Sequence, residues 1–282
     1  MYIERPSLSA SELRDIKQLV GLCNAAEAIE LKFNWDMMAQ RDGQAISDIL
    51  AYDGDTLIGC VPIDGFGDFA EITLAVHPQY RRRGIGRELY TRARQACSQQ
   101  GVQRLLLVSV NGAQAGADFI QALGLPYAFS EYRMTLQGQP AAVSVPEGLV
   151  LRPANARDIP DLVRIFAECF GRQEGAQAYV QRSMSEAGSE IDIALLHGQA
   201  VGQIGVSRSD RGAYIRGVAV QPASQGRGYG RSILTQTVLG LLEAGETHQT
   251  LDVETQNSNA LGLYEGCGFR QVNGFHYYNV EC

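Results

Sequence analysis

Short apolar blocks separated by glycine-rich and polar stretches run along the chain, and their periods predict alternating helices and strands. In the first half, helical spacing of the apolar residues predicts helices at about 12–25, 33–39, 84–98 and 113–123. Apolar runs predict strands at 2–3, 46–52, 56–62, 69–76 and 104–110, and a closing strand pair within 127–136. Asp53-Gly54-Asp55 lies between two of these runs and predicts a hairpin turn.

The second half repeats this plan. Its predicted helices lie at about 158–170, 173–187, 231–242 and 257–266. Its predicted strands lie at 149–153, 191–196, 200–207, 213–220, 248–254, 269–272 and 275–280. Because runs of strands alternate with inserted helices, each half is expected to form an α/β, or mixed α+β, sheet.

One stretch of the second half, Val218 to Gly230, carries the strongest chemical signal and reads V-A-V-Q-P-A-S-Q-G-R-G-Y-G. An apolar strand ends before Gln221-Pro222, a short loop follows, and a helix begins near Gly230. The first turn of a helix presents backbone N–H groups without partners at the positive end of its dipole. Because glycines also let a ligand approach the backbone, the stretch predicts a pyrophosphate-binding turn.

Two familiar phosphate-binding patterns do not describe this loop. The dinucleotide fingerprint needs a third glycine where Ile233 stands, and the P-loop needs a lysine that the loop lacks. The spacing of Gln225, Gly228 and Gly230 is Q-x-x-G-x-G instead. With the preceding V-A-V-Q-P, it resembles the coenzyme A loop of the GNAT N-acetyltransferase superfamily.

The same strand–loop–helix motif occurs a second time upstream. Val76 and Gly84 stand where Val220 and Gly228 stand, at a constant offset of 144 residues (220 − 76, 228 − 84). An ordinary helix-entry turn is the alternative interpretation of the glycines, and the repeat disfavours it. The chain is therefore predicted to hold two GNAT-like domains and a linker. The predicted bounds are 1–138 for the first domain, 139–148 for the linker and 149–282 for the second domain.

The resemblance implies a fold and a set of coenzyme contacts. Each domain would form a mixed, mostly antiparallel central sheet flanked by helices, with acetyl-CoA as cosubstrate at the loop. The implied contacts in the second half are Val218, Ala219, Val220, Gln225, Gly226, Arg227, Gly228, Tyr229, Gly230, Arg231 and Asn257. The implied contacts in the first half are Leu74, Ala75, Val76, Arg81, Arg82, Arg83, Gly84, Ile85, Gly86 and Arg87.

A second motif begins at Asn257 and reads N-S-N-A-L-G-L-Y-E-G-C-G-F, which resembles the GNAT segment N-x-x-A-x-x-x-Y-E-x-x-G-F. The resemblance implies that Tyr264 lies near the coenzyme sulfur and protonates the leaving thiolate. A packed helix aromatic is the alternative for Tyr264, and a helix N-cap is the alternative for Asn257. Glu254 ends the preceding strand, where it is either a base for the incoming ammonium or a solvated strand end.

The first half departs from this pattern. Alignment of the two halves places Ile120 opposite Tyr264, and isoleucine has no proton to give. The first domain is therefore expected to keep a phosphate loop while being catalytically weak or inactive, as in tandem GNAT enzymes in which one half catalyses.

Composition narrows the partners and the setting. The chain has 282 residues, 45% of them hydrophobic, and a net charge of −7, which disfavours a nucleic-acid partner. The six cysteines and four histidines are dispersed, so no metal site is expected. The chain shows no apolar run of membrane-spanning length and no signal-like start, and a reducing cytoplasm is therefore predicted.

The sequence thus predicts an N-acetyltransferase that moves an acetyl group from acetyl-CoA to a primary amine of a small molecule or peptide. The second domain would catalyse. Two alternatives stay open: both domains are active, or the protein is a non-catalytic acyl-CoA sensor. A homodimer is also left open.

Overall fold

The computed structural model describes residues 1–66, 69–141, 143–171 and 175–281, without the side chain of Ser258. The elements of the first half are, in chain order, β1 (Tyr2–Arg5), α1 (Ala10–Glu27), α2 (Trp35–Ala39), β2 (Asp48–Asp53), β3 (Thr56–Gly65), β4 (Phe69–Ile72), β5 (Ala75–Val76), α3 (Ile85–Gln99), β6 (Arg104–Val110), α4 (Gln114–Leu123) and β7 (Tyr127–Leu136).

The second half repeats the order of these elements. They are β8 (Leu149–Pro153), α5 (Ile159–Phe170), α6 (Ala176–Ser185), β9 (Ser189–Leu196), β10 (Gln199–Ser209), β11 (Gly212–Val220), α7 (Tyr229–Glu243), β12 (Gln249–Glu254), α8 (Ser258–Gly266) and β13 (Phe269–Val280).

Local sequence signals decide where several of these elements begin. At the start of α1, the Glu12 N–H donates to Ser9 Oγ, and the Ser9 N–H donates to the Glu12 carboxylate at 2.8 Å. This reciprocal pair satisfies two backbone donors that a helix start leaves without partners. Asn155 and Asp158 form the same arrangement just before α5.

The chain divides into two compact units, of residues 1–130 with 273–282 and of residues 131–272. We call them the amino-terminal and carboxy-terminal units. The chain passes from one unit to the other within β7 and again within β13. Each unit therefore takes its last strand from the opposite half of the sequence.

In the amino-terminal unit, the strands lie in the order β1-β2-β3-β4-β6 and then residues 273–280 of β13, with β5 beside β3. The pairs are antiparallel except for β4 and β6, which are parallel. Helices α1 and α3 bury apolar faces against this sheet, and fully buried Phe275 and Tyr277 come from the exchanged strand.

In the carboxy-terminal unit, residues 131–136 of β7 are followed by β12-β11-β10-β9-β8. Among the described strand pairs of this unit, β11 and β12 run parallel and the others are antiparallel. The largest core cluster combines Ile233, Leu234 and Val238 of α7 with inward-facing strand residues, including Met134 of the exchanged strand. The predicted fold class, two tandem mixed sheets that are mostly antiparallel and flanked by helices, is confirmed.

Several details differ from the sequence-based expectation. The closing strand pairs predicted at 127–136 and at 269–280 are single long strands, because each must cross from one unit to the other. The predicted strand at 69–76 breaks into β4 and β5. The predicted start of α6 at Gln173 lies outside the described residues.

The predicted domain bounds, 1–138 and 149–282, were derived from the repeat. The two compact units have different bounds, because each unit takes its last strand from the other half of the sequence. A repeat shows which segments correspond in the two halves. It does not show which sheet edge a terminal strand joins, because hydrogen-bond pairing is non-local.

Among the described helices, none combines the length and the apolar character that a membrane crossing requires.

Candidate active site

In the carboxy-terminal unit, β11 ends at Val220 and α7 begins at Tyr229 after a tight turn. Gly226 and Gly228 adopt φ values of 76° and 82° in this turn, which L-residues other than glycine rarely do. The turn therefore depends on glycine at these two positions. Gly228 is the N-cap of α7.

The start of α7 leaves backbone donors available. Its first intrahelical bond runs from the Ser232 N–H to the Gly228 carbonyl at 3.0 Å, and no side chain caps the helix. The N–H groups of Tyr229, Gly230 and Arg231 consequently have no intrahelical acceptor. This donor set, at the positive end of the helix dipole, suits the pyrophosphate of a coenzyme.

Hydrogen bonds to one carbonyl hold the loop against the strand. The Val220 carbonyl accepts from Gln225 Nε2 at 2.9 Å and from the Cys169 thiol at 3.3 Å. Gln225 of the Q-x-x-G-x-G motif thus anchors the turn to the end of β11.

The cleft beside this loop exists because two parallel strands diverge. Pairing between β11 and β12 is limited to Ala213 with Gln249 and Tyr214 with Thr250, after which the strands separate. A cavity of about 340 Å³ lies beyond that point. Its lining residues are Cys169, Phe170, Val218, Ala219, Val220, Gln225, Glu254 and Asn257.

Six of the predicted site residues are therefore brought together around one cavity, at the mouth of which the loop lies. Glu254 is exposed at the end of β12. Asn257 caps α8, since its side chain accepts from the Ala260 N–H at 3.1 Å, and it also faces the cavity. The N-cap interpretation and a position beside the cleft are thus both seen for Asn257.

Tyr264 is placed differently. It is 8% exposed, packs edge to face on Phe269 with ring centroids 6.4 Å apart, and belongs to the main core cluster of its unit. It is not among the residues that line the cavity. Burial raises the pKa of its phenol to about 12, with a smaller contribution from Cys267. The phenol is therefore protonated at neutral pH.

The amino-terminal unit carries the same turn. Gly84, with φ 84°, is the N-cap of α3, no side chain caps the helix, and the Glu88 N–H donates to the Gly84 carbonyl at 3.0 Å. Arg81 Nε and the Cys23 thiol donate to the Val76 carbonyl at 3.2 and 3.4 Å. These contacts reproduce those of Gln225 and Cys169.

Two arginines of this second turn, Arg81 and Arg82, lie near carboxylates. Arg81 Nη1 lies 3.3 Å from Glu27 Oε1, and that oxygen also accepts from the Ala115 N–H at 3.0 Å. Arg82 lies 3.8 Å from Asp118. In the part of the chain described here, no ion pair involves Arg227 or Arg231 of the carboxy-terminal loop.

The cleft of the amino-terminal unit is filled with side chains. Leu31 packs on the cluster that contains Ala75 and also on the cluster that contains Val108, Val110 and Ala113. Val110 and Ala113 are 3% and 7% exposed, and they stand at the offset positions of Glu254 and Asn257. Apolar packing therefore occupies the place where the other unit has polar walls and a cavity.

Sequence reasoning missed Cys169 and Phe170 as cavity residues. A signal was present, because Cys23 and Cys169 occupy corresponding places near the ends of α1 and α5. Their shared partner, a carbonyl at the strand end, becomes visible only in three dimensions. Among the described residues, no group of three or more His, Cys, Asp or Glu side chains could hold a metal ion.

Two units of the same plan, each with an uncapped helix start behind a glycine turn, fit an acyltransferase of tandem layout. The model of the Acetyltransferase (GNAT) family matches residues 14–125 and again residues 159–269. The chain belongs to the GNAT acetyltransferase family.

Relatives and solved structures agree with this membership. The chain is 26% identical over 294 residues to a mycothiol acetyltransferase of Rhodococcus opacus (strain B4), covering 94% of each chain. It is 28% identical over 278 residues to that of Actinosynnema mirum, covering 91% of this chain and 89% of the relative.

The fold resembles a GCN5-related N-acetyltransferase from Sphaerobacter thermophilus, with a TM-score of 0.82, 17% identity and coverage of 99% and 95%. It also resembles a tandem GNAT protein from the clavulanic acid biosynthesis pathway, with a TM-score of 0.73, 19% identity and coverage of 100% and 98%. The tandem layout predicted from the repeat is thus confirmed.

Proposed function

We propose that the carboxy-terminal unit transfers an acetyl group from acetyl-CoA to a primary amine of a small molecule or peptide. The observation that carries this proposal is the cavity of about 340 Å³ between the diverging ends of β11 and β12, with Gln225 of the loop before α7 in its lining. Bound acetyl-CoA would supply an acetyl group activated as a thioester.

Backbone donors of the unit have two tasks in this proposal. N–H groups at the start of α7, behind Gly228, hold the pyrophosphate. N–H groups of β11 near Val218 hold the thioester carbonyl, on which negative charge grows during amine attack. A fixed donor of this kind typically contributes ~3 kcal/mol to the lowering of the barrier.

Tyr264 is proposed as the acid that protonates the leaving thiolate. With a pKa of about 12, against about 8.5 for a thiol, the transfer is uphill by roughly 5 kcal/mol. A hydrogen bond from the phenol to the sulfur must offset this cost. Supporting this role, α8 presents its capping residue Asn257 to the cavity and carries Tyr264 two turns further on. Glu254, at the cavity wall, is the proposed base.

The amino-terminal unit is proposed to be weak or inactive in catalysis. Leu31 packs across the strands whose counterparts line the cavity, and buried Ile120 stands at the position of Tyr264. Its intact glycine turn favours a second interpretation, in which this unit binds an acyl-CoA without turning it over. Calorimetric titration with coenzyme A distinguishes these two interpretations. One binding site per chain is expected if the amino-terminal unit does not bind the coenzyme, and two sites are expected if it does.

The acceptor is proposed to be a small amine, and the relatives named mycothiol acetyltransferase add mycothiol precursors to the panel worth testing. A cytoplasmic setting is part of the proposal. A homodimer is a further part of the proposal.

Steady-state kinetics of Tyr264→Phe test the proposal. The loss of the acid should lower kcat by about 10²- to 10⁴-fold while the acetyl-CoA Kd holds. Tyr90→Phe, at a buried tyrosine of the amino-terminal unit, is the matched control and should keep full turnover. If wild-type protein binds coenzyme A but acetylates no amine or peptide in a broad panel, the sensor alternative replaces the enzyme.

A further inference from the structure

Arg216 of β11 is held by side chains that carry no negative charge. Its Nε donates to Ser207 Oγ at 2.8 Å, and its Nη1 donates to Tyr179 Oη and to Ser183 Oγ, both at 2.8 Å. Its Nη2 donates to Ser189 Oγ. We call these five residues the Arg216 cluster. Four of the five guanidinium N–H groups are thereby fixed by neutral hydroxyls.

Several other partly buried arginines of the chain face carboxylates. Such pairs are Arg41 with Asp48 and Asp64, Arg133 with Asp252, and Arg152 with Asp158. Arg216 has no carboxylate within ion-pair distance in the described parts of the chain. Because removing a charge from water without a counter-charge is costly, a positive group kept in this state is suited to an anionic ligand.

Two glycines allow the cluster to lie against the sheet. A Cβ at Gly205 would stand 3.1 Å from Arg216 Nη1, and a Cβ at Gly217 would stand 2.7 Å from Tyr179 Oη. Gly217 has a φ of 59°, which breaks the regular course of β11 just before Val218. The guanidinium therefore lies across Gly205, and the phenol reaches the backbone beside the strand that lines the cavity.

A row of three neighbouring aromatic rings connects the Arg216 cluster to the wall of the cavity. Phe170 lines the cavity, its ring centroid lies 4.8 Å from that of Phe166, and Phe166 stacks on Tyr179 at 4.2 Å. All three rings belong to α5 and α6. Through this row of rings Tyr179 connects the cluster to the cavity wall, and its hydroxyl accepts a hydrogen bond from Arg216 and keeps its own proton to donate.

Gln203 provides a second and independent observation. It is 1% exposed, and its Oε1 has no hydrogen-bond partner in the described structure. It pairs across β10 and β11 with Ala219, which lines the cavity, and its Nε2 lies on the side of Gly217 and Tyr179. A buried acceptor without a donor beside the cavity is suited to an N–H group of a bound molecule.

The described residues of the amino-terminal unit form no such cluster. The strand registers give an offset of 143 residues here (206 − 63, 215 − 72), which places Thr73, Pro62 and Asp64 at the positions of Arg216, Gly205 and Ser207. None of the three is an arginine, and Asp64 pairs with Arg41 instead. The cluster is therefore a property of the unit that has the open cavity.

We propose that the Arg216 cluster is the acceptor-recognition site of the carboxy-terminal unit and that it takes the carboxylate of an amine-bearing acid. The carboxylate receives the remaining Nη2 N–H of Arg216 and the Tyr179 O–H, while Gln203 Oε1 accepts from the nitrogen end of the acceptor. This inference rests on the proposed function. It makes Arg216 a specificity-determining residue that does not contact the thioester.

Kinetics with matched acceptors test the inference. Amino acids, including ω-amino acids of increasing length, are each compared with their carboxamides at saturating acetyl-CoA. Wild-type protein should prefer the carboxylate member of at least one pair by about 10- to 100-fold in kcat/KM, the range expected for hydrogen bonds to a charged group. Arg216→Gln should abolish that preference and leave the acetyl-CoA Kd unchanged. Arg216→Lys should retain part of it, because it keeps the charge without the planar fork.

Arg208→Gln is the matched control, since Arg208 lies on neighbouring β10 and already pairs with Glu190 at 2.7 Å. It removes the same charge from the same unit and should leave the preference intact. An equal loss for both members of each pair in Arg216→Gln, a weaker acetyl-CoA affinity in that variant, or no carboxylate preference in wild type would overturn the inference.

Calorimetry separates this inference from the proposed function. N-acetylated amino acids and their carboxamides are titrated into protein saturated with coenzyme A, without any turnover. Carboxylate preference that depends on Arg216, in a protein that transfers no acetyl group, would contradict the proposed function and retain the anion site. Acetyl transfer without a carboxylate preference would contradict the anion site and retain the proposed function.

Discussion

The two units carry nearly identical turns in front of very different clefts. Gly84 and Gly228 have φ values of 84° and 82°, and both precede a helix without a side-chain cap. Behind the second turn lies a cavity with polar walls, whereas behind the first Leu31 packs against a buried apolar cluster that includes Val110. A glycine turn before an uncapped helix is therefore a local structure that persists on its own, while a cleft needs its surroundings to stay open.

Charge separates the units as well. Arg81 of the first turn is 3.3 Å from Glu27, so that a phosphate would have to displace or tolerate a carboxylate. The carboxy-terminal unit instead leaves a guanidinium, that of Arg216, surrounded by hydroxyls. At these two arginines, positive charge faces a carboxylate in one unit and only neutral hydroxyls in the other.

The largest predicted effect concerns which unit each end of β13 stabilises. Phe269 and Phe275 are both fully buried, the first in the carboxy-terminal core and the second in the amino-terminal core. Phe269→Ala and Phe275→Ala should each cost about 3–5 kcal/mol, by loss of burial and by the cavity left behind. Hydrogen exchange resolved by peptide should show each variant loosening a different unit, although the two positions are six residues apart.

Each phenylalanine variant is the control for the other. If both variants raise exchange only in residues 149–282, the strand exchange is contradicted and the bounds suggested by the repeat apply.

The next prediction compares the same glycine substitution in the two turns. Gly228→Val forces a β-branched residue into a left-handed conformation, which costs at least about 1–2 kcal/mol and turns the first N–H groups of α7 away from a ligand. We expect kcat/KM for acetyl-CoA to fall by about 10²-fold or more, as for the loss of one fixed donor. Gly84→Val imposes the same strain on the amino-terminal unit and should leave turnover nearly intact in a coupled free-thiol assay.

Melting curves of both glycine variants show whether the fold survives. A comparable loss of turnover in two folded variants would mean that both units take part in the reaction.

The smallest effect concerns the filled cleft. Leu31→Ala removes a partly buried side chain that packs on two clusters, and it should lower the free energy of unfolding by about 1–2 kcal/mol. Turnover should not change, because the variant creates neither a proton donor at Ile120 nor the polar walls of the other cavity. Chemical denaturation and steady-state rates measure the two quantities. A rise in activity would show that Leu31 alone blocks a competent site.

Much of this architecture could be predicted from particular residues. The glycine spacing at 226–230 predicted the turn because positive φ values restrict the choice of residue, and helical periodicity predicted α7 and α8 within a few residues. Ile120, which stands opposite Tyr264 in the alignment, was the basis for predicting that the two halves differ in catalysis. Cys169 and Phe170 were missed, because a cavity wall made of common apolar residues leaves no motif.

What the amino-acid sequence determined by itself is therefore local: turns, helix starts, strand periods and the duplication at an offset of 144 residues. Each depends on backbone conformation or on neighbours within a few residues. The tertiary structure alone decided that residues 273–282 join the amino-terminal unit, that Leu31 fills one cleft, and that Arg216 gathers hydroxyls from three other elements. Those outcomes depend on packing between segments far apart in the chain, for which neither motif nor period gives a sign.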